Sequence, residues 1–118
     1  MNALSIATIN INDITAPTRM GILAEFIRKH DFDIIFLQEV TSPDVLSITG
    51  YETYLNIGTF MHGTTIVAKC KDHLTNILNL PTGRAIAATF PGVRLINIYP
   101  PVGHRADGRK GRFFTTWY

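Results

Sequence analysis

Two short stretches of this chain carry groups that could hold a cation and a phosphate. Asn10 lies in Thr8-Ile9-Asn10-Ile11-Asn12, and Glu39 lies in Leu37-Gln38-Glu39-Val40. Each follows an apolar, strand-like run, so both side chains fall near the carboxyl end of a strand. Ligands of open α/β sheets gather at that edge. A carboxylate beside a neutral amide suits magnesium, which takes oxygen ligands, keeps several waters, and is held by one or two carboxylates plus substrate phosphate. The amide could donate to a phosphate oxygen or orient the carboxylate. Taken singly, an asparagine or glutamate at a strand end is more often a solvated turn residue. The pair gains weight only if the fold brings them together.

The elements around them predict that it does. Residues 3–11 read as a strand: Leu4, Ile6, Thr8 and Asn10 share one parity and Ile9 and Ile11 the other, so both faces are expected to be buried. Thr15-Ala16-Pro17 breaks the strand, and proline is tolerated in a first helical turn. Met20, Leu23, Ala24 and Ile27, with Phe26 beside them, form a helical stripe. Arg28, Lys29 and His30 suit the negative end of the helix dipole, and residues 31–33 end the helix. The fully apolar run at 34–37 reads as a central strand. Strand, helix, strand is a crossover unit, which implies a parallel pair with both carboxyl ends at one edge.

Beyond it, residues 51–57, 64–69, 74–80, 84–90 and 94–99 are strand-like. Short turns separate them at Gly58-Thr59, Lys71-Asp72, Pro81-Thr82-Gly83 and Pro91-Gly92. Closely spaced strands predict antiparallel hairpins, so the fold class is a mixed α/β layer structure. Residues 107–118 mix basic and aromatic side chains and could open a helix, but the chain stops without a capping signal.

Composition bounds the rest. The 118 residues suffice for one small domain, and 46% hydrophobic content with recurrent apolar runs argues against disorder. A net charge of +2 permits a nucleic-acid partner without indicating one. The one cysteine, Cys70, excludes an intrachain disulfide and fits a reducing compartment. It reads as a partly buried small hydrophobe in preference to a reactive thiol. No run nears the roughly 20 apolar residues of a membrane span, and no signal peptide is visible, so an intracellular location and no membrane partner are expected.

Five blocks carry a family resemblance: Asn10-Ile11-Asn12; Ile35-Phe36-Leu37-Gln38-Glu39; Gly63-Thr64-Thr65-Ile66-Val67-Ala68-Lys69; Leu80-Pro81-Thr82-Gly83-Arg84; and Ile96-Asn97-Ile98-Tyr99-Pro100-Pro101. In this order they resemble the endonuclease/exonuclease/phosphatase superfamily. That group includes deoxyribonuclease I, apurinic/apyrimidinic endonucleases and the endonuclease domains of LINE-type retrotransposons. The blocks look most like the retrotransposon branch, over residues 4–114. The resemblance implies a partial four-layer α/β sandwich of the DNase I-like type: a mixed sheet with one N-terminal crossover helix, followed by antiparallel strands. It implies a magnesium-dependent DNA endonuclease, with manganese as a possible substitute, acting on DNA and nuclear if functional. Glu39 would be the metal ligand, Asn10 the asparagine near metal and scissile phosphate, and Tyr99 the active-site tyrosine. Arg84 would contact the DNA backbone. Without the family, Tyr99 reads as a strand-end aromatic packing on the core, and Arg84 as a solvated turn residue.

The sequence also departs from that pattern. The family's Asp-x-Asn motif after the tyrosine and its later Asp-His pair are missing. After Tyr99 the only acid is Asp107, and the only histidine is His104, which reads as an exposed loop residue. Pro100-Pro101 stands where Ala-Pro is usual, stiffening the loop and removing a backbone donor. Arg109-Lys110-Gly111-Arg112-Phe113-Phe114 resembles the start of the helix leading into a second half, and residues 115–118 depart from it. Residues 1–118 therefore read as a single truncated domain lacking its C-terminal half, with catalysis by this chain alone not expected. An open apolar sheet face would favour self-association. Two alternatives stand beside the endonuclease. One is a non-catalytic retroelement remnant binding DNA weakly through Arg84, Arg105, Arg109, Lys110 and Arg112. The other is a small-molecule phosphatase of the same superfamily.

Overall fold

The computed structural model describes residues 3–12, 17–40, 47–57 and 63–100. It begins with the predicted crossover: β1 (Ile6–Asn10), α1 (Pro17–His30) and β2 (Ile34–Val40). β1 and β2 are parallel, with Ile6 opposite Ile34 and Asn10 opposite Gln38. The helical stripe does what its spacing dictates. Leu23 and Ile27 are buried, and Met20 and Ala24 pack beside them on Ile35, Leu37 and Val67. Phe26 stays half out of this layer, its ring against His30 and Phe32. The helix closes at Asp31, a left-handed residue (φ 55°) whose N–H reaches Ile27 O at 3.1 Å.

The later strands are β3 (Tyr51–Ile57), β4 (Gly63–Lys69), β5 (Thr75–Asn79), β6 (Ala85–Phe90) and β7 (Val93–Ile98). They make the expected antiparallel pairs but divide between two sheets, ordered β1-β2-β4-β3 and β5-β6-β7. The division has a topological cause. β4 already carries β2 on one edge and β3 on the other, so β5 cannot pair with the strand it follows, and it pairs with β6 in a second sheet. That sheet packs face to face on the first. Ile34, Ile66, Ala68 and Leu74 meet Ile86, Ala88 and Leu95 in one apolar layer. β2 and β4 are covered on both faces, by α1 and by the second sheet, which is why they read as continuous apolar runs. The result is a helix–sheet–sheet stack, three layers of the expected α/β sandwich.

Several expectations are corrected. β1 is half-buried on one face and exposed on the other. Ala7 and Ile9 pack under the helix, whereas Ile6 is 44% exposed. The strand is the edge of its sheet, and the second sheet lies over β2, β3 and β4. Cys70 is exposed, because it lies in the turn after β4, held by its N–H to Gly50 O at 2.9 Å. Tyr99 follows β7, and Arg84 precedes β6. The outer face of the second sheet leaves Leu78, Ile96 and Ile98 exposed. No helix among the described residues is long and apolar enough to cross a membrane. The break at Thr15-Ala16, the turn at Gly58-Thr59, and everything from residue 101 on lie outside the described residues. The latter includes His104, Asp107, the basic residues Arg105, Arg109, Lys110 and Arg112, and the possible terminal helix.

Candidate active site

The predicted edge is built by a break in the β2–β4 ladder. Gln38 faces Thr64 and Val40 faces Gly63, so Glu39 is an extra residue with no partner on β4. Such a bulge re-aims a side chain. Glu39 adopts φ 59°, a conformation that costs a non-glycine residue on the order of 1–3 kcal/mol. Its half-buried side chain turns towards the end of β7, where the Tyr99 hydroxyl donates to Glu39 Oε1. Tyr99 is held from its other side. Its N–H donates to Arg84 O at 2.8 Å, and the Arg84 guanidinium carbon lies 5.3 Å from its ring centroid.

Asn10 stands at the same edge, one strand over. Its Oδ1 accepts the Asn12 N–H at 2.9 Å, closing a tight turn in which Asn12 has φ 51°. What Asn10 can offer a ligand is therefore its Nδ2 donor. The structure brings Glu39 and Tyr99 into contact, sets Arg84 beside Tyr99, and leaves Asn10 as a neighbour not bonded to either carboxylate or phenol.

A divalent cation fits this edge as a partial site. Among the described residues no three His, Cys, Asp or Glu side chains gather as a metal cluster. Glu39 commits Oε1 to Tyr99 and keeps its second oxygen. One carboxylate oxygen with waters and a substrate phosphate is within what magnesium accepts.

Sequence reasoning did not assign roles to the buried amides behind the edge. Asn97 is 1% exposed. Its Nδ2 donates to Leu37 O and Thr65 O, both at 2.9 Å, and its Oδ1 accepts from Gln38 Nε2 at 2.9 Å. Gln38 Nε2 also donates to Thr8 Oγ1 at 2.8 Å. Farther along, Asn56 Nδ2 ties β3 to Leu80 O and Ala85 O at 2.8 and 2.7 Å. A signal was present: Asn97 shares the parity of core-facing Leu95, and a polar residue at a core position needs partners.

The opposite end of the first sheet is an ion-paired closure. The Asp33 carboxylate accepts from the Ser5 N–H and hydroxyl, both at 2.9 Å, and lies 3.4 Å from Lys69 Nζ. These donors, the Ser5 backbone foremost, hold the Asp33 carboxyl below its ordinary value against the opposing effect of burial. Lys69 is pushed up, chiefly by its hydrogen bond to Asp31. An open cleft of about 440 Å³ at this end is lined by Arg28, Asp31, Tyr51, Lys69 and Lys71. It is remote from Glu39.

No family model and no curated protein matches the sequence. Solved structures match its fold. An AP endonuclease from Archaeoglobus fulgidus aligns over 98% of this chain and 48% of its own, at 24% identity and a TM-score of 0.73. The 3′ phosphatase NExo from Neisseria, bound to a product DNA hairpin, aligns over the same shares at 24% identity and 0.75. TDP2 from Caenorhabditis elegans covers 97% of this chain and 40% of its own, at 19% identity and 0.71. The chain thus spans about half the length, or less, of the structures it matches. What it shares with them, and what its helix–sheet–sheet stack displays, is part of the DNase I-like α/β sandwich.

Proposed function

We propose that this chain carries part of the active site of a magnesium-dependent DNA endonuclease of the retrotransposon type. On its own the chain engages magnesium and DNA but does not complete catalysis. The observation that carries this reading is the contact of Tyr99 with Glu39 across two sheets, at the edge where Asn10 also ends its strand. The DNA-processing neighbours support DNA as the partner. The retrotransposon-like blocks favour a phosphodiester in DNA over a small phosphomonoester.

In this reading the free oxygen of Glu39 holds the cation, and Tyr99 orients the carboxylate. Arg84 and the Asn10 amide meet phosphate oxygens as positively charged and neutral donors. A bound divalent cation would supply Lewis-acid polarisation of the phosphorus–oxygen bond. The sequence carries neither the family's Asp-x-Asn motif after Tyr99 nor its Asp-His pair, the groups that would orient the nucleophile and stabilise the transition state. That is why turnover by the chain alone is not expected.

The test pairs supercoiled-plasmid nicking with duplex-DNA binding by anisotropy, each titrated with magnesium, for the wild type and Glu39→Ala. The expected result is no nicking by either protein, with magnesium-stimulated binding in the wild type that Glu39→Ala loses. Magnesium-dependent nicking abolished by Glu39→Ala would overturn the incompetence of the chain and retain the site. Nicking that survives the substitution, or binding indifferent to magnesium, would overturn the site.

A further inference from the structure

Two cross-links join the end of β2 in the first sheet to β7 in the second, and they share one interval. Asn97 Nδ2 donates to Leu37 O at 2.9 Å; two residues on along both segments, the Tyr99 hydroxyl donates to Glu39. Asn97 also reaches β4 through Thr65 O at 2.9 Å, and it reaches β1 through Gln38, whose amide bonds both Asn97 Oδ1 and Thr8 Oγ1. Both Nδ2 hydrogens of Asn97 are used, as are both amide hydrogens of Gln38. The carboxamide of Asn97 therefore has one orientation that satisfies its surroundings.

The apolar layer around it sets no register of its own, and the other directional ties between the sheets among the described residues, from Asn56 to Ala85 O and from Thr64 to Gly83 O, hold β3 and β4 and not β2. Ile34, Ile66, Ala88 and Leu95 make non-directional contacts. Such contacts tolerate sliding of one sheet on the other. A slide of one residue, about 3.3 Å, would carry Tyr99 off Glu39. Directional bonds to two backbone carbonyls resist it, as buried, fully satisfied polar networks do elsewhere.

We infer that Asn97 is a positioning residue: it pins the second sheet to the first in the register that sets the Tyr99 hydroxyl on Glu39, with Gln38 locking its amide. Its relevance to catalysis rests on the reading of Glu39 and Tyr99 as part of a phosphodiester-cleaving site, but the pin itself is testable without activity.

The experiment is nuclear magnetic resonance on the full chain, comparing wild type, Asn97→Leu and Gln38→Met. In the wild type, Tyr99 ring protons show Overhauser contacts to the Glu39 side chain, and the Asn97 Nδ2 protons exchange slowly. Asn97→Leu, with backbone protection retained in β2, β4 and β6, should lose those contacts. Their retention in the folded variant would overturn the pin. Should Asn97→Leu fail to fold, Gln38→Met decides. Exchange of the Asn97 Nδ2 protons is expected to quicken about fivefold, with weaker Tyr99–Glu39 contacts. No change in either would overturn the role. Absence of the contact in the wild type would overturn both pin and site. A contact present in the wild type and lost in Asn97→Leu, alongside magnesium-indifferent DNA binding, would uphold the pin while the endonuclease reading fell.

Discussion

Replacing Ile86 by alanine tests whether the two sheets share one core. Ile86 is fully buried in the layer between them. The substitution removes three carbons, worth about 2.4 kcal/mol at about 0.8 kcal/mol per buried methylene. A residual cavity adds to this, so a total of about 3 kcal/mol falls within the range of large-to-small core changes. Unfolding entropy of about 2.1 cal/mol/K per residue gives about 0.25 kcal/mol/K for 118 residues. The melting temperature should therefore fall by about 12 °C. Circular dichroism measures the midpoint, and amide exchange measures where protection is lost. If the sheets form one cooperative unit, protection falls in β2 and β4 as well as in β6. Ile77→Ala on β5 is the control: at 39% exposure it should cost no more than about 1.5 kcal/mol, half the loss at Ile86. A fall of less than about 4 °C for Ile86→Ala, or lost protection confined to the second sheet, would refute the shared core.

Three further outcomes are expected. Gly63→Ala would place a Cβ 2.5 Å from Asn56 O and 3.0 Å from Ile57 Cα, both backbone atoms; it should cost about 1–3 kcal/mol, and an unchanged melting temperature would refute the close approach of β3 and β4. Burial, reinforced by the hydroxyl's bond to Glu52, pushes the Tyr54 phenol from 10.0 up to about 12. Because the folded value is the higher, that contribution to stability is intact below pH 10 and lost as the pH rises to about 12. Urea midpoints across this window should decline in the wild type and flatten in Tyr54→Phe; equal slopes would count against it. Asp33 is the opposite case: its folded value lies below 3.8, so its contribution is present above that pH and disappears as acid titrates the folded carboxylate. Asp33→Asn should remove that part of the acid limb, and an acid limb identical to wild type would show that Ser5 and Lys69 stabilise nothing there.

The crossover was legible because hydrophobic period changes from two to about 3.6 and back, and Met20, Leu23, Ala24 and Ile27 leave one helical face. The edge holding Asn10 and Glu39 followed from the parallel pair alone. What sequence could not show is set by neighbours rather than by local propensity. The split after β4 depends on both its edges being occupied, which no residue in the turn at Lys71-Asp72 encodes. β1 reads as apolar on both faces, but how far the second sheet extends decides what covers Ile6. The contact that defines the site joins Glu39 to Tyr99, not to Asn10, because a bulge redirects the carboxylate. Nothing at Glu39 marks that bulge. Asn97 was conspicuous as a polar residue at core parity, but its bond to Leu37 O spans 60 residues and could not be read along the chain.

Departures from local rules separate the edge from the rest of the fold. Four non-glycine residues among those described have positive φ: Asn12, Asp31, Glu39 and Asn76. Asp31 closes a helix, Asn76 lies in the register shift of β5 between Thr75 and Leu78, and Asn12 sits in the turn closed by Asn10, so these three have ordinary structural causes. Glu39 remains, at the end of β2 beside the half-buried amide of Gln38 and the buried amide of Asn97. A chain selected for stability alone would place glycine at the bulge and an apolar residue at position 97. Retaining a strained glutamate and a buried asparagine there is the pattern expected where geometry serves a ligand. Glu39→Gly separates the two explanations. If the strain is incidental, the glycine variant should be as stable as wild type or more so, with unchanged magnesium-stimulated DNA binding. If the strain holds a ligand carboxylate in place, stability should rise by on the order of 1 kcal/mol while that binding is lost.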